Sequence, residues 1–88
     1  MFRLMGTTFK DTRIQQTTVI SDESDLNRTG KIFSCLEAIC CEFDLEKPIW
    51  LDSNIRDFQR HSKTRFTQDN FIEILDFDHL EIQVIEEG

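Results

Sequence analysis

The sequence predicts an α+β fold, an antiparallel β-sheet made of an N-terminal hairpin and a C-terminal strand with helices packed on one face. Three observations predict it. Residues 2 to 9 and 13 to 20 are rich in Phe, Thr, Ile and Val and flank the short connection Lys10, Asp11, Thr12, the pattern of a hairpin. Leu26, Ile32, Phe33, Leu36, Ile39, Cys40 and Phe43 recur at helical spacing within an arc of about 140°, wide enough to cover one face of a sheet. Leu80, Ile82 and Val84 alternate with Glu81 and Gln83, as in a half-buried strand.

Within the hairpin, Asp11 can make its own turn hydrogen bond. Alternation is clearest over Ile14, Gln16, Thr18 and Ile20, which groups polar with apolar residues and leaves the buried face of that strand open. Ser21 to Asp25 offers several N-caps for the main helix, which Gly30 weakens without ending. Cys35 lies at the flank of the apolar arc and Cys41 opposite it, leaving Cys40 as the core thiol. Asp44 to Lys47 reads as a charged connection, and Pro48 turns Lys47 out of helical geometry, so Ile49, Trp50 and Leu51 form a short extended segment. Asp52 or Ser53 can then cap a second helix over about 54–61 that buries Ile55 and Phe58 and sets Arg56 and Arg60 one turn apart on its outer face. Residues 64–67 suggest a short strand, and Asp69 to Leu75 a helical turn or loop burying Phe71, Ile72 and Leu75.

Length and composition bound the rest. The 88 residues suffice for one domain, and 39% hydrophobic residues with eight Phe and one Trp suffice for one core. A domain this small buries only around 60% of the surface its unfolded chain exposes, so a monomer or a homodimer is expected. No run approaches the ~20 apolar residues of a membrane helix, and the start MFRLMGTTFKDTR has neither a signal core nor a cleavage site, so a cytoplasmic location without a membrane partner is expected. Cys35, Cys40 and Cys41 are odd in number and clustered, unlike a secreted disulfide framework, and read as reduced thiols.

The formal charge of −7 repels phosphate backbones and anionic membranes, which makes nucleic acid an unfavoured partner. That charge is uneven. Residues 69 to 88 carry seven acids and no Lys or Arg, whereas residues 52 to 66 carry Arg56, Arg60, Lys63 and Arg65 against Asp52 and Asp57. This basic island has three readings: pairing with Asp52, Asp57 or the acidic tail within the chain, pairing with those acids across a dimer, or holding a small anion such as a phosphate or carboxylate beside Trp50. His61 can titrate near neutrality, although Asp57 one turn earlier offers it an ordinary surface partner. The cysteines lack the paired spacing of a zinc site, and the acids Asp69, Glu73, Asp76 and Asp78 match no calcium loop, so no metal or other cofactor is expected and a solvated acidic face is the better explanation.

The stretches KPIWLDSNIRDFQRHSKTRFTQDNFIE, Lys47 to Glu73, and DFDHLEIQVIEE, Asp76 to Glu87, resemble a family of small uncharacterised proteins of clostridia and related Firmicutes. FKDTR in the hairpin and KIFSCLEAICCEFDL in the main helix extend the resemblance less specifically. It implies a bacterial, cytosolic, stand-alone domain and carries over no catalytic or binding residue. The expected function rests on charge segregation without a catalytic constellation: a non-enzymatic protein interaction module that self-associates and recognises its partner through the segment Trp50 to Phe66. In that reading Trp50 supplies apolar area, Arg56 and Arg60 directed hydrogen bonds, and Lys63 and Arg65 longer-range attraction to an acidic partner, with His61 a further binding residue of the segment. The alternative is a binder of a small anionic or phosphorylated ligand at the same segment, with an enzyme a distant third and single-strand nucleic-acid binding after it.

Overall fold

A computed structural model describes residues 1–87, and its α+β architecture is the one the sequence predicts. Strands β1 (Phe2–Lys10) and β2 (Arg13–Asp22) form the hairpin, helices α1 (Arg28–Glu42) and α2 (Asp52–His61) follow, and β3 (Lys63–Phe66) and β4 (His79–Glu86) complete an antiparallel sheet of order β2-β1-β4-β3. Register settles which face is buried. Leu4 opposes Val84, Gly6 opposes Ile82, Thr8 opposes Leu80, and on the other side Ile82 and Leu80 oppose Thr64 and Phe66. Because side chains alternate along a strand, these residues share the face the helices cover, and Leu4, Phe66, Leu80 and Ile82 are wholly buried there.

The hairpin turns on Asp11 and Thr12, both in the left-handed region (φ 54° and 66°), as a two-residue loop matching the strand twist requires. The Asp11 N–H donates to the Asp78 carboxylate at 2.9 Å, tying the turn to the start of β4.

Helix α1 begins later than its apolar pattern suggests. Asn27 is the cap, accepting from the Gly30 N–H at 2.8 Å, so Leu26 lies outside the helix and is exposed. At the other end Asp44 is left-handed (φ 57°), its N–H reaches the Cys41 carbonyl, and the Leu45 N–H reaches the Cys40 carbonyl, closing the helix in a Schellman motif. Ile32, Cys35, Leu36, Ile39 and Cys40 are buried against the sheet. Cys35 is therefore a core thiol as well as Cys40, packed beside β2 with its Sγ 3.8 Å from the Ile20 carbonyl. Ile39 sits over Gly6 so closely that a Cβ at residue 6 would stand 2.6 Å from Ile39 Cγ2. Glycine is needed there for close approach of helix to strand, not for a special backbone angle.

Candidate interaction surface

Two buried asparagines build the region around α2. Asn54 Nδ2 donates to Thr64 Oγ1 at 2.9 Å and to the Arg65 carbonyl at 2.8 Å, while Asn54 Oδ1 accepts from the Leu51 N–H at 3.0 Å and from Asn70 Nδ2 at 2.7 Å. Asn70 Nδ2 also donates to the Ile49 carbonyl at 2.7 Å, and Asn70 Oδ1 accepts from the Thr67 N–H at 2.9 Å. This network joins the 49–51 linker, α2, β3 and the single 3₁₀ turn Gln68–Asn70. Among the described residues every buried side-chain polar atom has a partner.

With α2 fixed in this way, its faces are set by helical rotation of about 100° per residue. Phe58 is buried, Asp57 and His61 turn toward β3, Ile55 and Gln59 turn toward α1, and Arg56 and Arg60 stand on the outer surface. The segment Trp50 to Phe66 is therefore not one surface but two, separated by α2.

On the α1 side lies an apolar groove. Its first part, about 280 Å³, is lined by Arg28, Ile32, Phe33, Trp50, Ile55 and Phe58, and its second, about 310 Å³, continues past Phe33 and Trp50 to Leu36, Pro48 and the Lys47–Glu37 ion pair. Trp50 is half-buried and meets Phe33, Phe58 and Phe66 edge-on, with ring centroids 5.6, 5.8 and 5.1 Å away. Phe33 and Ile55 keep 49% and 44% of their surface exposed. Both departures from the sequence pattern have one cause: the linker carries Trp50 into the space between the helices, so the residues beside it become walls of an open groove instead of core. Arg28 lies 5.6 Å over the Phe58 ring and is anchored to Glu87 at 2.6 Å and Ser62 Oγ at 3.1 Å.

On the β3 side lies a polar cleft of about 320 Å³ lined by Asp57, His61, Lys63, Thr64, Arg65 and Glu81. Two acids face two bases there, so its field for an anion is largely cancelled. Arg65 and Glu81 are register partners, and Thr64 Oγ1 donates to Asp57 at 3.3 Å. Beyond it, on the uncovered sheet face, His79 stacks on Phe9 at 4.8 Å, and burial followed by the Arg65 charge holds its pKa below the ordinary histidine value. Burial pushes Cys40 up to about 11 and raises Cys35 as well, so neither is a ready nucleophile.

The ion pairs among the described residues are Arg3 with Glu86, Arg28 with Glu87 and Lys47 with Glu37. Arg56, Arg60, Lys63 and Arg65 join none of them, although Lys63 and Arg65 share the polar cleft with Asp57 and Glu81. Sequence reasoning passed over Asn54, Asn70, Arg28 and Phe33 as site-building residues. Only Phe33 carried a signal, as the aromatic at the edge of the helical arc.

No family model, curated protein or solved structure matches this chain. No helix among the described residues is long and apolar enough to cross a membrane, and no group of three or more His, Cys, Asp or Glu among them is placed to hold a metal ion.

Proposed function

We propose that this chain is a non-enzymatic protein interaction module whose recognition surface is the groove between α1 and α2, and that it takes a short apolar segment bearing acidic residues. The observation that carries this reading is the half-exposed apolar lining, Phe33 and Trp50 with Ile55, beside Arg56 and Arg60, whose guanidinium groups have no ion-pair partner among the described residues. Aromatic anchors supply most binding free energy at such surfaces, and unpaired arginines select the charge of what binds. The alternative, a small anionic ligand at the Trp50 to Phe66 segment, draws little from Lys63 and Arg65, because Asp57 and Glu81 line the same cleft.

Peptides selected from a random display library on the wild-type protein, with counter-selection on Phe33→Glu/Ile55→Glu, test the proposal. They are expected to pair large apolar residues with acids and to shift the emission of Trp50, the only tryptophan in a chain without tyrosine. Arg56→Ala/Arg60→Ala is expected to weaken them about 5- to 10-fold, the worth of two exposed charge pairs, with an unchanged unfolding midpoint. Selected peptides that bind both proteins equally would overturn it.

A further inference from the structure

The most anomalous surface element is the loop between the 3₁₀ turn and β4. Phe71 is buried and Leu75 half-buried as the sequence predicts, but Ile72 is not: Ile72 and Ile74 stand 82% and 93% exposed. The loop is not slack. Glu46 accepts from the Ile72 and Glu73 N–H groups at 2.7 and 2.9 Å, and Gln68 donates to the Glu73 carbonyl at 2.6 Å and accepts from the Leu75 N–H at 2.8 Å. Four side-chain hydrogen bonds thus hold two isoleucines outward in one fixed shape, at a cost in apolar exposure that no contact within the described residues offsets.

We propose that the Ile72/Ile74 knob docks in the Trp50 groove of a second copy of this chain, and that the groove of the first receives the knob of the second. The proposal rests on the reading of the groove as a recognition surface and names its occupant. Three observations favour a second copy. The knob is acidic, with Glu73 between the isoleucines and Asp76 beyond them, and neither acid is in an ion pair among the described residues. The groove lies beside Arg56 and Arg60, equally without partners, so the charges complement each other between copies and not within one. Knob and groove are also neighbours: Glu46 braces the knob while Lys47 and Pro48 line the groove, and Asn70 bonds Ile49 just before Trp50. A two-fold axis near this linker allows both insertions at once, which closes the assembly as a dimer. Six of the eleven large hydrophobic residues exposed among the described ones, Phe33, Ile49, Leu51, Ile55, Ile72 and Ile74, belong to this linker, groove and knob.

The test is sedimentation from about 1 μM to about 500 μM, the range over which small interfaces dissociate. The wild type is expected to reach twice the 10.4 kDa of the monomer. Ile72→Glu/Ile74→Glu, which lacks the knob, and Ile55→Glu, which lacks the groove, are each expected to stay monomeric while unfolding like wild type, since all three positions are exposed. An equimolar mixture of the two is expected to regain association, because one intact knob still meets one intact groove. Labelling the exchange with Trp50→Phe/Ile55→Glu as the silent donor makes Trp50 of the knobless variant report insertion directly. A wild type that stays monomeric, a dimer indifferent to either variant, or a mixture that regains nothing would overturn the proposal. Should one of those results overturn the dimer, display-selected peptides that still shift Trp50 leave the groove reading standing, and peptides that leave Trp50 unmoved end both.

Discussion

Replacing Asn54 with alanine removes four hydrogen bonds at one buried position, two donated to Thr64 and Arg65 and two accepted from Leu51 and Asn70. Each is worth about 1 kcal/mol net, and an N–H left buried without a partner costs more. Thr64 retains Asp57 and Asn70 retains Ile49, whereas the Leu51 N–H is stranded at the first turn of α2 unless water enters. The expected loss is about 3–4 kcal/mol. For a chain of this length total stability is about 4–13 kcal/mol, so the variant should lose a large fraction of it. Urea unfolding followed by Trp50 emission measures the change, since Trp50 packs on Phe58 and Phe66, the elements that Asn54 holds together. Asn54→Ala/Asn70→Ala completes a double-mutant cycle, with a coupling of at least about 1 kcal/mol expected for two directly bonded residues. A single-variant loss below about 1 kcal/mol at unchanged slope would refute the assignment of these asparagines as the joint between linker, helix and strand.

Thr12 is β-branched yet left-handed, so Thr12→Gly should stabilise the hairpin by about 0.5–1 kcal/mol, the relieved strain less the added chain entropy, and raise the melting temperature by several degrees. Unchanged or lowered melting would contradict the strain argument. Cys41 alone is exposed among the thiols, so a thiol reagent should label one cysteine per chain rapidly in the native state and three after unfolding. Fast native labelling of Cys35 or Cys40 would show that α1 does not pack as described. The folded pKa of His79 lies below the ordinary value of 6.5, so the unfolded chain takes up the proton first as pH falls. Its contribution to stability is full above about pH 6.5 and is lost as pH drops toward the folded pKa. A proton NMR titration should place the His79 midpoint below 6.5, and His79→Phe should flatten the slope of stability against pH between 7.5 and 5.

Legibility in the sequence followed the physics of each element. Strand β4 was readable because alternation has a single solution once one face is buried, as Leu80, Ile82 and Val84 show. The hairpin was readable from its turn, and its buried face became definite only when register set Leu4 against Val84. Ile55 and Ile72 could not be placed from pattern, because on a short helix or in a loop an apolar residue looks the same whether it faces a core or an open groove. Asn54 and Asn70 were invisible for the opposite reason: a polar side chain reads as solvated, and their burial depends on partners 10 to 21 residues away. The separation of the basic segment into an outer ridge and a charge-balanced cleft likewise required the rotation of α2 about Phe58.

Gly6 touches nothing that would bind, yet it governs what could. Helix α1 rests on the sheet through Ile39 over that glycine, and an adjoining face of the same helix, Ile32 and Phe33, is a wall of the groove. The missing methyl group at residue 6 therefore acts as a spacer of zero thickness: any side chain there would shift α1 outward by a fraction of an ångström and change the gap between Phe33 and Ile55. The width of this groove can thus be set from beneath the helix, by a substitution that leaves every groove residue and every surface charge as it was.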